Sequence, residues 1–485
     1  MNKILLLGIL FTMLLQTTLA QEAETPLAGR KQMVEKMDKE GLLSRQTAEI
    51  IKSAKVLQVP GQAAHLQGGF TVAATAPVME LMIIPIRERY QPDPPAGYVP
   101  TLWSSWGQGV YAPATKTYYA AYGNHRLNQA RIFIAGYNTA TKTIENSPEI
   151  NRALGRNLPD GLGDGKIHGW LALAGNEIYF YTYWGYYPKP LEEHFRAGYD
   201  GGHMASYNLF TRKVTDYGLA MPRASWPYHN MDTRRGLLFA VGMFGEFSCY
   251  DLSNKQIRFA GFPPEGIKWN KRVMLVDDQT GMVYATNFSA LDTAVHFIKY
   301  NPVTNSFAKM ASTVLPNIES GQIDRMRAHT PKKSKDGWFI GVTSRSGNQP
   351  AGQLFKFYPD EDKVENLGLC WTGEQRYTTS LALSPDEKYL YYLPGAHGKS
   401  HLEGSPVIQY NIHTGERKVL AFLFPYLYDR YGYVAGGSFS VGINETGDKL
   451  FICLNGRFTD YDVLEDDVFG DPAILVINIP ATERQ

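Results

Sequence analysis

Four histidines in the first half of the chain are candidates for proton transfer, because each stands at or near a predicted strand end on one rim of the fold. They are His125, His168, His203 and His229. They come from separate segments and show no helical His-x-x-x-His spacing, so no metal centre is signalled. We therefore predict that no cofactor is required, and a structural metal ion stays open.

Cations and aromatic residues stand at equivalent places in the chain. The cations are Lys166, Lys271, Arg272, Arg325, Arg327, Arg345, Arg376 and Arg457, and the aromatic residues are Trp106, Trp184, Tyr186, Tyr187, Tyr228 and Tyr377. Such a concentration of positive charge attracts anions, and aromatic rings suit stacking against sugar rings. No phosphate-cradling glycine loop is present. The residues therefore predict an anionic carbohydrate as the ligand.

β-Elimination on a uronate-containing glycan fits this inventory best. A lyase needs a cation at the uronate carboxylate, a base for the C5 proton and an acid for the leaving O4, which Arg, His and Tyr can supply. A glycosidase normally needs two carboxylates across the bond, and Asp324 and Glu374 stand among arginines. Two alternatives stay open: a glycoside hydrolase acting on a glucuronide-linked sugar with a single His, and a non-catalytic glycan-binding module.

A two-part repeat supplies the elements that would position these side chains. Polar turns leading into alternating strands occur at 114–119, 174–179, 233–238, 278–283, 335–339, 385–390 and 445–450. Strand ends followed by Asn, Asp or Pro occur at 137–141, 207–211, 250–254, 300–304, 357–361, 410–414 and 477–482. Two hairpins per unit make a four-stranded antiparallel sheet. Seven units predict an all-β, seven-bladed β-propeller.

Propeller geometry brings the candidate residues to one face. The innermost strand of each blade begins, and the second strand ends, on the same side of the disc, so residues at those positions converge on one rim. By this rule the substrate-binding candidates are Lys166, His203, His229, Arg272, Arg325, Arg327, Arg376 and Tyr377. The turns at the opposite face hold an ordinary mixture of polar residues.

The N-terminal part of the chain predicts export and closure of the ring. Lys3, the apolar run 4–15 and the small residues before position 21 predict a signal peptide over 1–20 and a secreted or periplasmic protein. Residues 21–75 are predicted to form a short helical extension, with amphipathic helices within 30–55. The propeller is predicted over 76–485. Because the last blade ends after three strands, we expect residues 81–84 to supply its fourth.

The composition sets limits on partners. The 485 residues carry 48 Lys and Arg against 47 Asp and Glu, a formal net charge of +1, so no uniform basic surface indicates nucleic acid or membrane binding. No segment after the signal has the apolar length of a spanning helix. Cys249, Cys370 and Cys453 stand in strand-like runs and are predicted to be buried rather than bonded. We expect a monomer that binds an anionic polysaccharide.

Short motifs in the first three blades resemble the seven-bladed-propeller ulvan lyases. They are Trp103-Ser104-Ser105-Trp106-Gly107, Tyr122-Gly123-Asn124-His125, Gly165-Lys166-Ile167-His168-Gly169 and Gly201-Gly202-His203-Met204. The resemblance implies an exported, endo-acting lyase that cleaves beside the uronic acid of a sulfated, rhamnose-containing algal polysaccharide. It also implies that His125 and His168 are active-site histidines, Tyr228 the acid or base and Arg272 the neutraliser of the carboxylate.

Overall fold

Seven antiparallel sheets form the blades of a β-propeller in the computed structural model. The structure describes residues 47–86, 103–124, 130–156, 158, 162–185, 190–287, 295–314, 325–344, 352–458 and 467–485. The signal sequence predicted over 1–20 and the proposed active-site His125 lie outside these ranges. The predicted all-β, seven-bladed propeller is confirmed.

Each blade has strands A to D from the channel outwards. Blade 1 has a divided A strand, β4 (Trp103–Ser104) and β5 (Val110–Ala112), followed by β6 (Thr117–Asn124), β7 (Arg131–Asn138) and β8 (Thr143–Asn146). Blade 2 comprises β9 (Ala172–Ala174), β10 (Glu177–Tyr181), β11 (His203–Asn208) and β12 (Val214–Leu219). Blade 3 comprises β13 (Tyr228–Asp232), β14 (Leu237–Val241), β15 (Phe247–Asp251) and β16 (Gln256–Gly261).

The next three blades repeat the pattern. Blade 4 comprises β17 (Leu275–Val276), β18 (Val283–Thr286), β19 (His296–Asn301) and β20 (Ser306–Thr313). Blade 5 comprises β21 (Arg325–His329), β22 (Phe339–Ser344), β23 (Gln353–Tyr358) and β24 (Lys363–Leu369). Blade 6 comprises β25 (Ala382–Leu383), β26 (Tyr389–Tyr392), β27 (Pro406–Asn411) and β28 (Arg417–Phe422).

The N-terminal segment closes the ring in blade 7, as predicted. Blade 7 comprises β29 (Tyr433–Ile443), β30 (Lys449–Phe458), β31 (Ala473–Asn478) and, as its D strand, β3 (Val78–Ile83). Leu81 of β3 pairs with Leu475 of β31. Because the outer strand of the last blade comes from the other end of the propeller, the closure joins the two ends of the ring by a full ladder of backbone hydrogen bonds.

The extension before this strand differs from the predicted helices. Within the described residues 47–75 the chain forms β1 (Glu49–Ile51), β2 (Thr71–Val72) and two 3₁₀ helices, Ala54–Leu57 and Gly61–Leu66. The helix prediction is therefore wrong for 49–51: β1 pairs with β3 and adds a fifth strand to blade 7. An open sheet edge offers backbone partners, which favour a strand over an isolated amphipathic turn.

Asx turns explain the second half of the sequence repeat. The Asn138 side chain accepts hydrogen bonds from the N–H groups of Ala140 and Thr141, and Asn208 and Asp251 do the same two and three residues ahead. A short polar side chain that bonds its own backbone starts a turn. This is why the Tyr-Asn and Tyr-Asp pairs mark the ends of C strands.

The core lies between the blades. Apolar clusters join neighbouring sheets, and Cys249, Cys370 and Cys453 are buried free thiols within them, as predicted. The described residues include three short α-helices: α1 (Ile150–Ala153), α2 (Glu192–Arg196) and α3 (Tyr426–Tyr431). Two further 3₁₀ helices cover Ser400–Glu403 and Ala481–Glu483. Among the described ranges, no helix has the length and apolarity to cross a membrane.

Candidate active site at one face of the channel

Alternate residues of the inner segments line the channel in layers. Lys166, His168 and Trp170 occupy successive alternate positions of blade 2, immediately before β9. Arg327 and His329 have the same spacing in β21 of blade 5. Side chains two residues apart along an extended segment point to the same side, about 6.6 Å apart. Each segment therefore places one residue near the face of the disc and the next one deeper.

Two glycines allow the inner segments to approach each other closely. A Cβ on Gly107 would lie 2.6 Å from the Ile167 carbonyl oxygen, and one on Gly169 would lie 2.4 Å from the backbone nitrogen of His229. The backbone N–H of Trp170 donates to the His229 carbonyl at 3.0 Å. The glycines that follow Trp106 and His168 in the sequence motifs are thus packing requirements, and they bring blades 1, 2 and 3 into direct backbone contact at the channel.

Four side chains cross the channel and form what we call the floor: Gln108, Trp170, Tyr228 and His329. The Trp170 indole N–H donates to the Tyr228 hydroxyl at 2.8 Å, and that hydroxyl lies 3.2 Å from His329 Nε2. His329 Nδ1 lies 2.8 Å from the Thr330 carbonyl, so Nδ1 carries the proton and Nε2 accepts from the hydroxyl. Gln108 bonds the Thr379 carbonyl of blade 6 at 2.6 Å. Blades 1, 2, 3, 5 and 6 therefore meet here.

A group of three cations, which we call the cation cluster, lies one layer nearer the face. It consists of Lys166, Arg272 and Arg327. Arg272 Nη1 lies 2.9 Å from Nε2 of His168, and Arg327 Nε donates to the Tyr377 hydroxyl at 2.6 Å. The Lys166 ammonium lies 3.9 Å from the centroid of the Trp106 ring. Among the described residues no carboxylate forms an ion pair with any of the three cations.

Burial and mutual repulsion shift the protonation of this cluster. Burial, followed by the charges of Arg272 and Arg327, lowers the pKa of Lys166 well below its ordinary value. The pKa of His168 is likewise lowered by burial and then by Arg272, Arg327 and Lys166. His168 is therefore neutral at pH 7, with Nε2 accepting the Arg272 N–H. Lys166 and Arg272 keep partial solvent access although protein surrounds them, as expected of side chains lining a wet pocket.

Aromatic rings form one side of the pocket, the aromatic wall of Trp106, Tyr377, Phe439 and Phe469. Trp106 lies 4.8 Å from Phe439 and 5.2 Å from Phe469 between ring centroids. The His168 ring packs edge-on to Phe439 at 6.3 Å. The aromatic wall therefore contacts both His168 and the cation cluster, and its rings are large enough to stack on sugar rings.

The structure brings together five of the predicted residues: Lys166, His168, Arg272, Arg327 and Tyr377. Two others lie at the floor or beneath it. Tyr228 is 2% exposed with its hydroxyl bonded on both sides, and the fully buried His229 packs beside Gly169, with its pKa lowered to about 3 by burial. Their positions in strand A were predicted correctly, but packing between blades turns them inwards.

His203 has a different environment from the other histidines. Its Nδ1 lies 3.0 Å from Asp216 and its Nε2 3.2 Å from Asp200. Burial opposes the charge, but the hydrogen bonds that the ring donates to Asp200 and Asp216 raise the pKa of His203 to about 9. Arg156 joins the same group by bonding Asp200 at 2.8 Å. His203 is therefore a charged ring held by acids, outside the cation cluster.

The remaining predicted residues divide into three groups. Arg376 is partly buried, with no hydrogen bond to its Nε among the described residues. The backbone of Arg325 begins β21, but its side chain lies outside the described part, as do Tyr186, Tyr187 and Arg345. Trp184 is fully buried against Tyr199 at 4.6 Å between centroids. Its predicted role in stacking on sugars is therefore wrong, because the ring fills a core position.

Sequence reasoning missed three participants. Tyr183 packs edge-on to His168 at 5.9 Å between centroids, and Phe439 and His329 complete the wall and the floor. Phe439 and Tyr183 stood at the predicted strand ends, but only the side-chain packing shows that they face His168. His329 ends strand A of blade 5, two residues after Arg327, and the alternation of a strand was the signal that could have found it.

No group of three or more His, Cys, Asp and Glu side chains in the described ranges is arranged to hold a metal ion. No protein-family model matches the chain, and no curated protein matches it significantly. The fold and site define the chain as a seven-bladed β-propeller with a cationic pocket at one end of a closed channel. The resemblance to the ulvan lyases stays a prediction carried by short motifs.

Proposed function

We propose that the protein is a polysaccharide lyase that cleaves a uronate-containing glycan by β-elimination. The observation that carries this proposal is the contact of Arg272 with the neutral ring of His168 inside a cluster of cations that has no described carboxylate partner. A cation beside a neutral base is what proton removal next to a carboxylate requires.

The cation cluster would bind the uronate carboxylate. Arg272 and Arg327 each have terminal guanidinium nitrogens that can form paired hydrogen bonds with a carboxylate. Neutralising that group makes the C5 proton more acidic, because the carbanion formed at C5 spreads its charge onto the carboxylate oxygens. Among the described residues, no carboxylate is named with the charges that act on His168 or Lys166, so the substrate would supply a negative charge at this place.

Substrate binding would also activate the base. In the free protein the Nε2 lone pair of His168 is occupied by the Arg272 N–H, and three cations hold its pKa down. A carboxylate that draws Arg272 towards itself frees the lone pair and offsets the repulsion. His168 would then take the C5 proton only when a uronate is in place.

Tyr228 would support this site from below. Its hydroxyl accepts from Trp170 and contacts His329, while burial raises its pKa above the ordinary value. A hydroxyl satisfied on both sides in the floor holds the strands of blades 2, 3 and 5 in place. We therefore propose a positioning role for Tyr228, in place of the acid or base role implied by the resemblance.

The pocket favours a sulfated uronate glycan, with ulvan the preferred substrate. Lys166 of the cation cluster could meet a sulfate group, and the aromatic wall offers faces for neighbouring sugars. A polysaccharide substrate would be degraded outside the cell, which agrees with the signal sequence predicted over 1–20. We accordingly propose that the protein is secreted or periplasmic.

Incubation of the purified protein with ulvan and other uronate glycans tests the proposal. The expected result is a rise in ultraviolet absorbance from a conjugated unsaturated uronate and product masses that lack the water added by hydrolysis. His168→Ala should lower the rate by about 10²-fold or more, the usual contribution of a general base. His65→Ala changes an exposed histidine of the extension and serves as the matched control.

Other products would overturn the proposal in distinguishable ways. Saturated products carrying the mass of water would identify a glycoside hydrolase. Glycan binding without turnover, unchanged by His168→Ala, would identify a binding module. An unaltered rate of elimination in His168→Ala would remove His168 from the mechanism.

A further inference from the structure

A second histidine lies at the exposed edge of the aromatic wall. His397 follows β26 in the loop between strands B and C of blade 6. Its ring lies 5.7 Å from Trp106 and 6.4 Å from Phe439 between centroids. Because His168 packs edge-on to the same Phe439 ring, the two histidines flank Phe439 and line the same pocket.

Asp467 fixes the orientation of this ring. Its Oδ2 lies 2.9 Å from His397 Nδ1, and Lys399 Nζ lies 3.6 Å from its other oxygen. Burial opposes ionisation, but the hydrogen bond and charge of His397, together with Lys399, lower the pKa of Asp467. The ionised carboxylate therefore accepts a hydrogen bond from Nδ1–H and leaves Nε2 as the nitrogen that gains and loses a proton.

His397 and Asp467 come from different blades. The backbone of Val468 donates to the Gly398 carbonyl at 3.0 Å, so the loop before β31 of blade 7 is tied to the loop of blade 6. The His397 side chain is 50% exposed and that of Asp467 is 37% exposed. A hydrogen-bonded pair held by the backbone, with a half-exposed imidazole packed beside the aromatic wall, has the arrangement of an oriented acid or base.

We propose that His397, positioned by Asp467, donates the proton to the leaving glycosidic oxygen in the elimination. This inference rests on the proposed lyase function. His168 removes the C5 proton, the C5–H electron pair forms the C4–C5 double bond, and the C4–O4 bond breaks with its electrons on O4. His397 Nε2–H protonates O4, and solvent afterwards carries the proton from His168 back to His397, so atoms and charge balance over one turnover.

Two substrates with different leaving groups test this assignment. One is a uronate glycan, whose departing alkoxide needs a proton. The other is a synthetic uronoside with 4-nitrophenoxide at C4, which departs without one. His397→Ala should lower kcat on the glycan by about 10²-fold and keep the rate on the nitrophenyl substrate within about threefold. His413→Ala, an exposed histidine in the outer turn of the same blade, should leave both rates unchanged.

Asp467 is tested as a positioning residue by conservative rescue. Asp467→Asn should lower the rate on the glycan by about 10-fold, at the low end of the losses seen when a residue that orients a functional side chain is replaced. The rate on the nitrophenyl substrate should not change. Asp467→Glu should restore most of the glycan rate. This pattern separates orientation of the acid from a general loss of structure, which would lower both rates together.

The outcomes distinguish the two proposals. If the wild-type protein forms no unsaturated product from any uronate substrate, the lyase function fails and the inference fails with it. If the wild type eliminates normally and His397→Ala is as active on the glycan, only the role of His397 is overturned. Equal losses on both substrates would also overturn it, since they would assign His397 to substrate binding.

Discussion

Replacement of Arg272 by methionine tests the reasoning about the site most directly, because it separates function from stability. Arg272 bonds His168 and is repelled by Arg327, and its pKa is lowered first by burial and then by that neighbour. Its charge therefore has no partner in the described part of the free protein. We expect Arg272→Met to lower activity strongly while leaving the free energy of unfolding unchanged or raised by about 1 kcal/mol, as for other strained active-site groups.

The size of the activity loss follows from the geometry. A guanidinium and a carboxylate about 4 Å apart interact by about 4 kcal/mol at an effective dielectric constant of about 20. Lys166 and Arg327 would remain and compensate in part. The expected loss in kcat is therefore about 10²- to 10³-fold, or roughly 3–4 kcal/mol, which matches the removal of one oriented donor from a developing negative charge.

The pH dependence provides a second measurement. His168 acts as a base only when neutral, and removing one of the charges that depress its pKa moves the acid limb of the rate profile to higher pH. The limb should stay below the ordinary histidine pKa, because burial, Arg327 and Lys166 still act on the ring. Tyr183 also packs beside the ring, and burial raises its pKa, which keeps it neutral in this range.

The assay is continuous absorbance of unsaturated product between pH 5 and 9, with urea unfolding measured on the same samples. Arg234→Met is the matched control, since Arg234 lies in the A-to-B turn of blade 3, away from the cation cluster, with its side chain 65% exposed. An Arg272→Met rate within threefold of wild type, with an acid limb that does not move, would refute the assignment of Arg272. A loss of stability equal to the loss of activity would show that Arg272 is a structural cation.

Three further predictions concern stability. The pKa of His229 is lowered to about 3 and that of His329 to about 4 by burial, so the unfolded chain binds more protons below about pH 6.5. Each of these histidines should then lower the free energy of unfolding by up to about 1.4 kcal/mol per pH unit as the pH falls from about 6.5 to about 4.5. Equal urea midpoints at the two pH values would contradict this. His203, whose pKa is raised to about 9, stabilises the fold below about pH 6.5 and loses that contribution as the pH rises through 9, so His203→Gln should flatten the alkaline loss seen by thermal unfolding. Leu81→Ala in the closing strand should lower the free energy of unfolding, measured in urea, by about 2–5 kcal/mol, because Leu81 is 1% exposed. Val78→Ala should lower it much less, because Val78 at the start of the strand is 36% exposed.

The propeller was predictable because its signals are local. A turn residue in the left-handed region, the Asx side chain at the end of five of the C strands and the alternation of apolar residues all act within a few positions. Lys116, Gly175 and Gly236, for instance, take positive φ in the first three A-to-B turns. The closing strand was predictable for a related reason: a blade short of one strand leaves an unpaired edge, and residues 81–84 formed the apolar segment available to it.

The site was predictable only in part, because its assembly depends on distances between blades. Strand ends placed Lys166, His168 and Arg272 on one face, and alternation could have added His329. Nothing local distinguishes Trp184, which fills the core, from Trp106, which faces the pocket. The pairing of His397 with Asp467 joins two loops of different blades, and no spacing in the sequence encodes that contact.

The floor explains how a nearly neutral chain can hold three cations together. Two residues below the cation cluster, the indole of Trp170, the phenol of Tyr228 and the imidazole of His329 form a hydrogen-bonded chain, and the Gln108 amide beside them bonds the Thr379 carbonyl. These groups offer no counter-charge, and they fill the space through which water would otherwise screen the cations from below. Positive charge between a filled floor and an open face is screened mainly from the face. If the proposed lyase function holds, an anionic glycan would enter from that side, where the aromatic wall and His397 stand, and the floor would set the direction from which it meets His168.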